Sequence, residues 1–325
     1  MPFPLSPLPF PRRGATLARL LLLTLMFLSG CRRLQLTIHE DLQYGSYPLA
    51  EGEGKLLLDL YLPTTAPSSH PLPVLIYIHG GGWREGSKED CPGKIAAQRG
   101  YAIACVSYRL SDVARFPAQI HDVKEAVRWL RANADRYGLD ADRFGAWGPS
   151  AGGHLSALLG TSAGVERLAG PTQYPGIASD VQAVCNWFGI SDFTRVPPTF
   201  EEPVTPEVWK KYRWEPWFLY TVAVHLVLGG PVSQNLELAA LANPINYIDK
   251  SDPPFLIVHG EPDTIVPIQQ SELLATALEK GGVEVTFIRD PNLGHNHEGD
   301  NGELFDPEMI DRAVAFFDAH LKSSP

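Results

Sequence analysis

The chain has 325 residues, 44% apolar and 20% charged, and its 27 Lys+Arg against 37 Asp+Glu leave a net charge of −10. That apolar content is too high for a disordered chain, and no sustained heptad or glycine repeat suggests a fibre. No basic stripe is present to bind a phosphate backbone, and the 4 cysteines are too few for a disulfide scaffold, which leaves an enzyme as the default.

Residues 1–30 differ from the rest of the chain. A proline-rich start carrying Arg12, Arg13 and Arg19 but no acid leads into an apolar run from Leu20 to Leu28. That run is roughly half of the ~20 residues a spanning helix needs, and a basic start with a short apolar core is the pattern of a secretory signal. Leu28-Ser29-Gly30-Cys31 resembles a bacterial lipobox. The resemblance implies removal of residues 1–30, lipidation of Cys31 and a mature chain of residues 31–325 anchored to a membrane outside the cytoplasm. A secreted or periplasmic protein with a plain cleaved signal is the alternative.

Strand-like segments rich in branched and aromatic residues follow at 36–42, 55–62, 73–79, 101–109, 143–148, 181–188, 254–259 and 283–289. Several are continuous apolar runs that suit central strands buried on both faces. Between them, Ile120, Val123, Val127 and Leu130 mark one face of a helix, and Ile310, Val314, Phe317 and Leu321 mark another. The alternation predicts an α/β fold with a mostly parallel sheet, helices on both faces and an antiparallel start. Residues 193–245 break the rhythm and read as a helical insertion in a single domain. Trp209, Tyr212, Trp214, Trp217, Phe218 and Tyr220 crowd into it, as a lid over a pocket or as packing onto the body.

Gly148-Pro149-Ser150-Ala151-Gly152 fits G-x-S-x-G between a predicted strand and a predicted helix. That context is what a nucleophile elbow requires: glycines admit the sharp turn, and the helix N-terminus offers free N–H groups to a developing oxyanion. Upstream, His79-Gly80-Gly81-Gly82-Trp83 follows an apolar strand and can turn backbone N–H groups into a cleft, with His79 holding the loop. Neither phosphate-loop pattern is present.

With these motifs the chain resembles an α/β-hydrolase of the carboxylesterase kind, similar to the feruloyl/acetyl esterase and hormone-sensitive-lipase-like branches. The likeness runs from Tyr44 onward and includes LDLYLP, GYAIACVSYRLS and PPFLIVHGEPDTIVP. It implies Gly81, Gly82 and Ala151 as oxyanion donors, with Gly80 left open.

A serine nucleophile needs a base, and the base needs an acid, in the order Ser…Asp/Glu…His for this fold. Asp263, after the strand PPFLIV, is the predicted acid, with Glu261 and Asp192 as rivals. His295 follows a glycine in the loop before the last helix and is the predicted base, with His297 as its alternative. His259 stands too close in sequence to the acid to be an obvious partner. A metal held by His295, His297, Glu298 and Asp300 is disfavoured, because no further ligand set has convincing spacing. The expected activity is hydrolysis of short-chain or aromatic acyl esters through an acyl-enzyme, with no cofactor. An arylformamidase or peptidase using the same triad, or a non-catalytic relative, is the alternative. Cys105 and Cys185 read as small buried hydrophobes, with a Cys91–Cys105 pair left open for an oxidising compartment.

Overall fold

The computed structural model describes residues 35–64, 70–195, 206–212, 215–295 and 307–322. Residues 1–30, expected to be a signal, and Cys31 lie outside these residues, as do Trp214, His297, Glu298 and Asp300. For Trp209, Tyr212 and Trp217 the backbone alone is described.

Eight strands form one sheet: β1 (Leu36–Pro48), β2 (Glu53–Pro63), β3 (Leu72–Ile78), β4 (Ala102–Val106), β5 (Leu139–Pro149), β6 (Ala183–Trp187), β7 (Phe255–Gly260) and β8 (Val285–Asp290). Their order is β1-β2-β4-β3-β5-β6-β7-β8. β1 and β2 pair antiparallel, β2 meets β4 antiparallel, and every later neighbour is parallel. All eight predicted strands are present. The largest difference is at β1, which continues six residues past the expected end at 42. Register shifts between His39 and Leu42 and between Gln43 and Gly45 break the two-residue alternation there, so the pattern fades while the pairing goes on.

Among the described residues the α-helices are α1 (Gly93–Ala97), α2 (Ala118–Ala132), α3 (Ala134–Tyr137), α4 (Ala151–Thr161), α5 (Pro206–Tyr212), α6 (Pro216–Leu228), α7 (Leu236–Ala242), α8 (Gln269–Gly281) and α9 (Pro307–Phe317). Because successive side chains on a strand point to opposite faces, β3 divides its residues between two cores. Val74, Ile76 and Ile78 join the cluster shared with α2, α4, α6 and α8. Leu75 and Tyr77 join the cluster beneath α1 and α9. The predicted faces of α2 and α9 are the buried ones: Ile120, Val123, Val127, Leu130, Ile310 and Phe317 are all fully buried. Each such side chain contributes roughly 1.5–3 kcal/mol by leaving water.

Cys91 and Cys105 form a disulfide, 2.01 Å between sulfurs and 14 residues apart in sequence. Cys105 is thus not the free small hydrophobe its strand suggested. The cross-link fixes the start of the α1 region to β4, where Cys105 stands beside Tyr77 of β3. Cys185 remains a buried free thiol.

In the predicted insertion, α6 is apolar nearly all round. Phe218 and Tyr220 are buried, whereas Leu219 and Leu226 are 43% and 38% exposed. Ala223 lies against the glycine loop, its Cβ 3.0 Å from where a β-carbon on Gly82 would stand. The described part of the segment is therefore both packed onto the body and placed over the cleft.

Candidate active site

The cleft opens at the carboxyl ends of the parallel strands, where open α/β sheets place ligands. Ser150 stands between β5 and α4 with φ 52° and ψ −117°. A non-glycine residue there carries strain of roughly 1–3 kcal/mol, held in place only by its surroundings. Those surroundings are specific. The Ser150 N–H donates to the Trp187 carbonyl at 2.8 Å, and the Ser150 carbonyl accepts from the His154 N–H at 2.9 Å. A β-carbon on Gly152 would stand 1.9 Å from the Ile78 carbonyl oxygen, and one on Gly148 2.3 Å from it. The two glycines of G-x-S-x-G thus let the elbow press directly against the end of β3.

His295, in the loop after β8, reaches back to this serine across 145 residues of sequence. Its Nε2 lies 3.2 Å from Ser150 Oγ, and its Nδ1 lies 2.8 Å from Asp263 Oδ2. An ionised carboxylate only accepts, so Nδ1 carries the hydrogen and Nε2 presents its lone pair to the serine hydroxyl. The three residues form one hydrogen-bonded line.

Asp263 sits in the turn after β7 with its side chain fully buried. Its Oδ1 accepts the backbone N–H groups of Ile265 and Val266 at 2.8 and 2.9 Å. Oδ2 accepts from His295 and also lies 3.2 Å from His259 Nε2. Burial alone would push this carboxyl up. Hydrogen bonds from His259 and His295, the His295 charge and the Ile265 N–H outweigh it and hold Asp263 well below the usual carboxylate range.

The rival acids are engaged elsewhere. Asp192 Oδ1 accepts from Thr194 and from Asn243 Nδ2. Glu261 is at the surface, paired with Arg289.

Gly80, Gly81, Gly82 and Ala151 line the same cavity as Ser150 and His295, a space of about 660 Å³. His79 Nδ1 donates to the Gly80 carbonyl at 2.8 Å, and its ring stacks on Tyr108 at 4.2 Å, so this imidazole props the glycine loop. Ile190, Leu219, Val222, Ala223, Leu226 and Val266 give the cavity an apolar side, while Arg84, Glu85 and Asp90 stand in its wall. Two further residues border the site: Phe188, which the sequence did not mark, and His259, set aside there as too near the acid. Phe188 packs edge-on against His295 at 4.9 Å, and His259 touches the acid. The position of Phe188 just after β6, at the same edge as the elbow, was the signal that could have marked it.

Known proteins similar to this chain are esterases and related hydrolases. The BD-FAE family model matches residues 58–278. Esterase LipC of Mycobacterium tuberculosis is 32% identical over 267 residues, covering 80% of this chain and 61% of the relative. A bifunctional GH43-CE of Bacteroides eggerthii superposes with a TM-score of 0.72 at 34% identity, over 87% of this chain and 38% of that one. A truncated carbohydrate esterase from gut microbiota also gives 0.72, at 27% identity, over 90% of this chain and 99% of its own. The chain therefore spans less than two thirds of the length of LipC and of the GH43-CE protein.

Proposed function

The chain belongs to the BD-FAE family of esterase-like α/β-hydrolases, and from that membership we propose that it is a serine carboxylic-ester hydrolase. The observation that carries the reading is the unbroken path from Ser150 Oγ through His295 to Asp263. Ser150 Oγ attacks the ester carbonyl as His295 Nε2 takes its proton, and the buried Asp263 carboxylate stabilises the imidazolium. The oxyanion turns toward the N–H groups of Gly81, Gly82 and Ala151, at the positive end of α4. As the carbonyl re-forms, the C–O bond to the alcohol breaks and His295 protonates the departing oxygen. Water, deprotonated by the same nitrogen, then hydrolyses the acyl-serine and restores the hydroxyl.

Short-chain or aromatic acyl groups are the proposed substrates. The apolar side of the cavity, formed by Ile190, Leu219, Val222 and Val266, supports an acyl group without charge. A fluorophosphonate probe tests the chemistry: it should label the protein at Ser150, and equal labelling of S150A sinks the proposal. A panel of short-chain and aryl esters beside formamides and peptides tests the class. Faster turnover of the amides would favour the arylformamidase or peptidase alternative.

We also propose that Cys31 is lipidated and that the enzyme works outside the cytoplasm, at a membrane. The support is the Leu28–Cys31 sequence together with the Cys91–Cys105 disulfide, a cross-link that persists mainly in oxidising compartments. Labelled palmitate should enter the full chain and not C31A; absence of label from both would leave a plain cleaved signal.

A further inference from the structure

The acid is held from two sides, and one side lies outside the Ser150–His295–Asp263 line. His259, the next-to-last residue of β7, is completely buried. Its Nε2 lies 2.9 Å from the Val266 carbonyl oxygen and 3.2 Å from Asp263 Oδ2. Its Nδ1 lies 2.7 Å from Ser271 Oγ, on the buried side of α8. A carbonyl oxygen can only accept, so Nε2 carries the hydrogen and shares it between that carbonyl and the carboxylate. With Nε2 carrying the hydrogen, Nδ1 is left to pair with the Ser271 hydroxyl, and the two contacts fix the rotation of the ring.

The turn closes on itself around this ring. The Val266 N–H donates to Asp263 Oδ1 while the Val266 carbonyl accepts from His259. Oδ1 is set by backbone, whereas Oδ2, the oxygen that meets His295, depends on a side chain for its second donor. Phe188 packs against both imidazoles, with ring centroids 6.2 Å from His259 and 4.9 Å from His295. The surrounding charges lie at the surface, where Arg289 pairs with Glu261 and Glu272.

We infer that His259 is a positioning residue for the reaction: its Nε2–H, oriented by Ser271, fixes Asp263 Oδ2 against His295 Nδ1. The inference rests on the esterase reading above. His259 reaches no reacting atom and acts through Asp263 alone. Its N–H keeps the carboxylate plane aimed at the base and draws part of the negative charge away from Oδ2. Without it, the acid is freer to rotate and the undivided carboxylate charge faces His295 Nδ1. The expected signature is a slower chemical step, a displaced pH profile and recovery by a side chain that restores the N–H, a combination that loss of packing alone does not produce.

The test compares wild type, S150A, His259→Phe and His259→Gln with p-nitrophenyl acetate across pH. Phenylalanine keeps a ring and loses the donor; glutamine restores an N–H near the Nε2 position. H259F should lose about tenfold or more in kcat. Its KM should stay within about twofold, and the acid limb of kcat/KM should move to higher pH. H259Q should recover most of the rate. Wild-type kcat and an unmoved limb in H259F overturn the inference, as does equal loss in H259F and H259Q, which assigns His259 to packing alone. If H259F and H259Q do not fold, S271A decides, since it keeps the ring and frees its far side. A fall of about threefold in kcat with the same displacement supports the inference, and an unchanged enzyme ends it. Active wild type with inert S150A keeps the esterase reading standing whatever His259 does, whereas inert wild type overturns both.

Discussion

The carbonyl oxygen of Leu293 occupies the space that a β-carbon on Gly260 would need, 1.7 Å from that position. The loop that delivers His295 is thus seated on the bare end of β7, between His259 and the turn that carries Asp263. G260A should push that loop outward while leaving the elbow at Ser150 intact. Displacement of a reacting group by about 1 Å costs on the order of a hundredfold in rate. The expected result is a kcat lower by about that factor in a folded protein, checked by kinetics beside circular dichroism. Wild-type turnover in G260A would show that the loop does not depend on this seat.

The strain at Ser150 predicts a trade of activity for stability. Glycine tolerates positive φ, so S150G should unfold with about 1 kcal/mol more free energy than S150A, which keeps the unfavourable backbone. Both variants should be inactive. Parallel denaturant titrations decide it, and identical midpoints would mean the elbow carries no strain worth relieving.

Lys124 supplies a pH signature unrelated to the cleft. It is completely buried on α2, and its Nζ donates to the Ser162 carbonyl at the end of α4 at 2.6 Å. Burial, with Arg128 nearby, lowers its pKa to about 7. Between that value and the ordinary lysine range the unfolded chain binds the extra proton, so stability rises with pH across this window and the penalty is complete below it. K124M should be more stable by roughly 1–3 kcal/mol at pH 6 and gain much less at pH 10. Thermal unfolding at the two pH values measures the difference, and a gain independent of pH contradicts the buried-charge account.

The Cys91–Cys105 cross-link closes a short loop next to the cavity wall that contains Asp90. A loop of this size contributes about 3 kcal/mol through the unfolded state. Reductant, or C91S, should lower the melting temperature by several degrees, on the order expected for that loss in a domain of this length. Equal melting curves with and without dithiothreitol would mean the bridge adds nothing.

The parts of this protein that show in its sequence are those with a local signature. The strands from β3 to β7 announce themselves as apolar runs because both their faces are covered, and α2 and α9 by their spaced apolar residues. Ser150, Asp263 and His295 were legible because each follows a strand or sits in a patterned turn, and the structure brings all three within hydrogen-bonding distance. His259 was set aside because it stands four residues from the acid. Yet the turn folds back on itself and brings the ring to the carboxylate, a contact that spacing along the chain cannot reveal. The Cys91–Cys105 pair stayed open for a similar reason. It depends on where the start of α1 lands against β4, which is decided by tertiary packing. The far half of β1 was missed because its bulges disrupt the alternation on which recognition depends.

The 145 residues separating Ser150 from His295 give the site a property in time as well as in space. The elbow is complete once β3, β5, β6 and α4 have docked, but Ser150 then stands without His295. A ribosome must deliver β7, β8 and the loop beyond before that hydroxyl can meet His295. Nascent chains and truncated products should therefore be chemically silent, and probe labelling at Ser150 would report the arrival of the last strand.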